Sequence, residues 1–221
     1  MNQHIWWYTA RASGVVAWGL VTGAVVLGLW LSLRLTKQRP RPAWTLDLHR
    51  FLGALAVVFT GVHLAGLVGD SYIHFGAAEL FVPFASSWQP DAVAWGIVGL
   101  YLMLAIELTS LAMRFLPRKL WRGVHMTSYL LFAVSTIHML AAGTDANRRP
   151  LEWAALVGIG GVTFLTVARV FASRQPRSAA TPRRSAPVSG ATASAPPATA
   201  PPEIRWSSEA AARSPATAGR R

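Results

Sequence analysis

Of the chain's 221 residues, 52% are hydrophobic and only 14% are charged, whereas a soluble domain carries about a quarter charged residues. The 21 basic and nine acidic residues give a net charge of +12, and they fall mainly between long apolar runs or after the last one. This excludes an ordinary soluble enzyme and argues against a nucleic-acid binder; the basic residues are placed to meet membrane lipid. The absence of cysteine excludes disulfides, Cys-ligated zinc, iron–sulfur clusters, a thiol nucleophile and covalent haem attachment. Any metal must then rest on carboxylates, backbone or the six histidines, His4, His49, His63, His74, His125 and His138.

Spanning a bilayer takes roughly 20 mainly apolar residues, and five segments qualify: residues 12–33, 48–68, 92–113, 121–141 and 151–171. The first is too long for a cleaved leader, has only Arg11 before it and runs into a basic loop, so it reads as an anchored span. Trp6, Trp7, Trp44, Trp88, Trp121 and Trp153 lie near span ends, where amphipathic rings favour the interface. The expected fold is an all-α, polytopic helical bundle over residues 1–173. Gly158, Gly160 and Gly161 lie inside the fifth span, and no G-x-G-x-x-G motif follows a strand pattern, so no nucleotide-binding domain is expected.

Basic loops stay cytoplasmic. Arg34, Lys37, Arg39, Arg41 and Arg50 follow the first span, Arg114, Arg118, Lys119 and Arg122 follow the third, and nine more lie from Arg169 onward, against Arg11, Arg148 and Arg149 on the other side. Eighteen against three predicts a plasma (inner) membrane protein with its N-terminus outside and its C-terminus inside. Spans two and four then both run outward. Residues 174–221 are rich in Ala, Pro, Ser, Thr and Arg and hold eight of the fourteen prolines. Such a stretch buries too little apolar surface to order itself and reads as a disordered cytoplasmic tail, with the short stretch from Glu203 to Trp206 as a candidate docking motif.

Four histidines fall within apolar spans, where ionisable residues are costly and usually functional. His49 and His63 are 14 residues apart on span two, about 21 Å along a helix, and His125 and His138 are 13 apart on span four, about 19.5 Å. With both spans running outward, His49 can face His125 near the inner surface and His63 can face His138 near the outer one. Two imidazoles from opposite helices can fill both axial positions of a b-type haem, leaving iron suited to passing electrons rather than binding oxygen. The spacing on span four is awkward: at 100° per residue, 13 residues leave His138 about 140° from His125. No Pro or Gly between Met126 and Ile137 accounts for a kink.

The runs LHRFLGALAVVFTGVHL, from Leu48 to Leu64, and LWRGVHMTSYLLFAVSTIHML, from Leu120 to Leu140, resemble the ferric reductase-like transmembrane domain. That superfamily includes ferric reductases, NADPH oxidases and the haem-binding membrane subunit of bacterial methionine sulfoxide reductase systems. The resemblance spans roughly residues 5–172 and implies that His49, His63, His125 and His138 are axial ligands of two b haems. Larger members have six spans and a fused flavin and NADPH domain; here five spans and a tail are expected. A separate electron donor is therefore implied, either a soluble flavin reductase or membrane quinol, and flavin or quinone is a candidate additional cofactor.

Other residues admit two readings each. Arg50 and Arg122 border the inner histidines and suit either haem propionates or simple anchoring at the cytoplasmic surface; Arg11 is a further propionate candidate at the outer end. Gly53, one turn from His49, suits either the close approach of a flat ring or helix packing, as Gly19 and Gly23 suit packing. Glu107, inside span three, fits proton relay, a quinone headgroup or capping. His74, in a loop with Asp70 and Glu79, is a candidate acceptor site or simply solvated.

The expected function is transmembrane electron transfer from a cytoplasmic or quinol donor to an extracytoplasmic acceptor, ferric iron or a partner protein. In that reading the chain is an oxidoreductase component without its own flavin domain. Two alternatives are a quinol-linked cytochrome b subunit of a larger complex and a haem-free membrane adaptor.

Overall fold

A computed structural model of the chain describes residues 4–33, 43–71, 73, 75–143 and 149–174. They form α1 (His4–Ser32), α2 (Ala43–Gly69), α3 (Ala77–Phe81), α4 (Pro90–Leu111), a 3₁₀ turn (Met113–Phe115), α5 (Arg118–Met126), α6 (Ser128–Ala142) and α7 (Arg149–Arg174), with no strand among them. His74, the tail expected beyond Arg174 and the Glu203 to Trp206 stretch lie outside the described residues. Five segments are long and apolar enough to cross a membrane: α1, α2, α4, α5 with α6, and α7. The chain is therefore a multi-pass membrane protein, and the five expected spans are all present.

Two spans differ in detail from the sequence reading. α1 starts at His4, eight residues earlier than hydropathy alone suggests, and its 29 residues extend about 43 Å, well beyond a hydrocarbon core about 30 Å thick. Trp6, Trp7 and Tyr8 occupy that extension and are exposed. Span four is two helices rather than one. At Thr127 the backbone N–H bonds to the Val124 carbonyl at 3.0 Å, the tighter i→i+3 pattern, and the Thr127 hydroxyl donates to the same carbonyl at 2.6 Å.

Large apolar side chains are exposed along every span, among them Phe51, Leu111, Leu130, Val157 and Phe164, as expected of surfaces that meet lipid tails. Inside, α1 pairs most closely with α2 and α4 with α6, while α7 rests against α1. The α1–α2 approach is close because Gly66 lies on the Ala10 backbone, where an added Cβ would sit 2.7 Å from the Ala10 nitrogen. α1 is tied to α6 by a buried hydrogen bond of 3.0 Å from Trp18 Nε1 to Thr136 Oγ1. The segment before α4 folds back over its start: Phe75, Leu80, Val93 and Ile97 form one buried cluster, and the Tyr101 hydroxyl donates to the Phe81 carbonyl.

Between these two helix pairs, α2 makes almost no close backbone approach to α5 or α6 among the described residues. The opening is filled at mid-height by Val21, Ala56, Leu100, Met103, Ile106 and Leu131. Above and below that apolar layer lie the histidines.

Candidate functional site

The 14-residue spacing on α2 brings His49 and His63 to nearly the same face, within about 40°. Across the opening, the His49 and His125 rings face each other with centroids 5.9 Å apart and planes at 69°. The His63 and His138 rings do the same at 6.3 Å and 81°. The order of the pairs makes α2 parallel to α5–α6. A single 3₁₀ step at Thr127 turns the chain about 120° rather than 100° and so takes up only about 20° of the mismatch; the break there also ends α5 and begins α6 as separate helices.

Three of the four rings share one seat. His63 Nδ1 lies 2.6 Å from the Ala10 carbonyl, His49 Nδ1 lies 3.0 Å from the Ala24 carbonyl, and His138 Nδ1 lies 2.8 Å from the Ala92 carbonyl. A carbonyl only accepts, so each Nδ1 carries the proton and donates it, leaving Nε2 with its lone pair. Four residues after each acceptor stands a glycine, Gly14, Gly28 or Gly96. An added Cβ there would sit 2.9 Å from His63 Nδ1, 3.2 Å from His49 Cε1 and 2.7 Å from His138 Cε1 respectively. Side chains on a helix lean toward its N-terminus, so a residue at i+4 ordinarily covers the carbonyl at i. Glycine uncovers it, and the imidazole takes the space.

His125 has no such seat. Its Nδ1 is buried without a hydrogen-bond partner among the described residues, as is Trp121 Nε1, and its ring stacks on Trp121 one turn earlier, centroids 5.2 Å apart and planes at 26°.

Among the described residues no three His, Asp or Glu side chains converge on a metal position. Each pair therefore offers two ligands, too few for a bare ion and the right number for a macrocycle that brings four nitrogens of its own. A haem held by either pair would need the two ring centroids about 6.4 Å apart, taking each imidazole nitrogen as about 2 Å from the metal and about 1.2 Å from its own ring centroid; the observed separations are 5.9 Å and 6.3 Å. An anchored Nδ1–H with Nε2 free is also the usual state of a ligating histidine.

The remaining candidates lie around the His49–His125 pair or at the opposite end. Arg50 is exposed, with Nη1 3.8 Å from Asp47 Oδ1, and Arg122 is also exposed. Gly53 faces the Glu107 carboxylate, which occupies the space a Cβ would need. Arg11 stacks over the Trp7 ring at 4.1 Å. Gly19 borders open space and Gly23 only touches Leu52, so the close helix approach depends on other glycines. The sequence reading passed over Ala10, Gly14, Ala24, Gly28, Ala92 and Gly96, although Gly14 and Gly28 repeat the 14-residue interval of His49 and His63. It also passed over a cavity of about 410 Å³ lined by Met126, Tyr129, Thr166, Arg169, Val170 and Ser173, in which Arg169 Nη1 donates to the Tyr129 hydroxyl at 3.1 Å.

Compared with known proteins, residues 13–136 match the family model described as ferric reductase like transmembrane component. No curated protein and no solved structure matches the chain. The matched segment covers more than half of the sequence, runs from within α1 through most of α6 and contains three of the four paired histidines, ending two residues before His138. With helical spans, opposed histidines and this match in agreement, the chain belongs to the ferric reductase-like transmembrane component family.

Proposed function

We propose that the chain is a di-haem b-type electron carrier that passes electrons across the membrane, from a donor at the His49–His125 end to an acceptor at the His63–His138 end. The observation that carries this reading is the pair of opposed imidazoles at two heights, with centroid separations of 5.9 Å and 6.3 Å. His49 with His125 and His63 with His138 would each hold a haem, which would supply one-electron chemistry at that height. Two stations are needed because one haem cannot bridge a core about 30 Å thick.

The chain's own residues hold and isolate these stations. His49, His63 and His138 present Nε2 because their Nδ1–H groups are tied to carbonyls, and the apolar layer from Val21 to Leu131 keeps water from linking the two sites. Arg50 and Arg122, at the end that the charge bias assigns to the cytoplasm, are placed to meet propionates. The N-terminus lies outside the plasma membrane and residues 174–221 form a cytoplasmic tail. Ferric iron or an extracytoplasmic partner protein is the acceptor, and the donor is a separate flavin reductase or quinol.

One observation favours the quinol-linked form of this reading. An open groove lined by Met126 and Tyr129 lies next to His125 in sequence, and its Arg169–Tyr129 hydrogen bond supplies donors that a carbonyl-bearing headgroup would need.

The haem-to-protein ratio of the detergent-purified chain, taken from a pyridine haemochrome spectrum, tests the proposal. About two b-type haems per chain are expected; none in haem-replete cells overturns it in favour of an adaptor without haem. His63→Ala or His138→Ala should remove the outer haem and leave the inner one, halving the ratio. Loss of both haems, or of neither, counts against the pairing.

A further inference from the structure

The two stations are not built alike. At the outer pair both rings are seated, His63 on Ala10 and Gly14 and His138 on Ala92 and Gly96. At the inner pair only His49 is seated, on Ala24 and Gly28. His125 has a buried Nδ1 without an acceptor, and its one ring neighbour on its own helix is Trp121. The helices that carry the two span-four histidines differ in the same sense. α6, with His138, buries Leu131, Phe132, Val134, Thr136 and Met139. α5, with His125, buries no residue and is separated from α6 by the break at Thr127.

We infer that His125 is an exchangeable ligand, so that the inner station is a binding site for a small neutral ligand such as a diatomic gas or a free imidazole, while the outer station is closed. The inference rests on the di-haem reading above and deepens it. Two independent physical effects point the same way. A hydrogen bond from Nδ1–H makes an imidazole a better donor to its metal, and loss of such an outer partner typically weakens the metal bond by about 10- to 100-fold. α5 buries no residue against the rest of the protein and is broken from α6 at Thr127, so it can shift as a unit and carry the ring away without disturbing α6. His49, held by its own seat, keeps the inner haem attached while His125 is displaced.

Carbon monoxide is the probe, added to the dithionite-reduced, purified full chain, with total haem measured in parallel. About half of the haem should form a CO adduct, at an affinity about 10- to 100-fold above that of the remainder. In His125→Ala the reactive haem should not rise above that half, because the inner iron is already the reactive one; if the inner haem is lost instead, CO binding should vanish with it. Gly96→Ala pushes a Cβ into the His138 ring and should make the outer haem reactive too. Gly14→Ala, directed at His63, serves if Gly96→Ala fails to retain haem. The inference is overturned if two haems are present and neither binds CO, if both bind it equally in the unaltered chain, or if His125→Ala raises the reactive fraction to the whole. A preparation without haem overturns the di-haem reading itself, which separates the two failures.

Discussion

Gly66 shows how much of the outer site depends on residues that never touch a ligand. Its Cα faces the backbone of Ala10, and a Cβ would lie 2.7 Å from that nitrogen and 2.8 Å from that Cα. Backbone cannot rotate out of the way as a side chain can, so α1 must shift. Overpacking of this kind costs about 1–3 kcal/mol. The shift also displaces the Ala10 carbonyl, the acceptor that holds His63 at 2.6 Å. Gly66→Ala is therefore expected to lower the melting temperature in detergent and, in the di-haem carrier proposed above, to deplete the haem at the His63–His138 pair while the other stays. Haem content and the unfolding curve measured on one preparation check this; full retention of both haems would mean that α1 can slide without losing the seat. The four histidines were legible in the sequence because ionisable residues stand out in apolar spans. Their seats were not. A carbonyl acceptor leaves no mark on residue identity, and Gly14 and Gly28 acquire meaning only once α1 lies antiparallel to α2 in one register.

On the scale of elements, the 13-residue interval between His125 and His138 announced a conflict that the sequence could not resolve. A regular helix would turn the two rings about 140° apart, and no Pro or Gly marked where it would give way. The helix gives way locally and at an ordinary residue: Thr127 draws its N–H and its hydroxyl onto the Val124 carbonyl, at 3.0 Å and 2.6 Å. Hydroxyl-to-carbonyl bonds are known to bend helices, but threonine forms them in many helices without breaking the helix, so its presence alone predicts nothing. Thr127→Ala removes a bond of about 0.5–1.5 kcal/mol and lets the join relax toward regular helix. The disturbance should fall on α5, which buries no residue, rather than on α6, which buries five. In the ferric protein, the low-temperature paramagnetic resonance signal of the inner haem should shift or split while that of the outer haem is unchanged. Equal changes in both would show that α5 and α6 move as one piece. The contrast with the glycine repeat of α1 is instructive. Gly19 and Gly23 carry a familiar packing spacing, yet Gly19 borders open space and Gly23 only touches the Leu52 side chain of α2, while the close approach of the two backbones is made at Gly66 against Ala10.

For the molecule as a whole, composition made the membrane class and the five spans readable, since length and hydropathy follow directly from bilayer thickness. The arrangement of those spans into two close pairs, α1 with α2 and α4 with α6, was less readable because lipid-facing and protein-facing surfaces are both apolar. The proposed direction across the membrane rests on charge alone: eighteen Lys and Arg residues on one side against three on the other, a bias that would keep the basic loops in the cytoplasm. The chain contains no cysteine, so a single introduced thiol reports its own location without background. Thr144→Cys, which precedes α7 in the sequence, and Ser189→Cys, which follows it, would place a thiol on each side of the last span. In intact cells a membrane-impermeant maleimide should label Thr144→Cys, whereas Ser189→Cys should react only after the membrane is opened. The reverse pattern would invert the bundle and put the His49–His125 pair outside. The station with the exchangeable ligand would then be the exit for electrons, and the acceptor rather than the donor would meet the basic surface formed by Arg50, Arg118, Lys119 and Arg122.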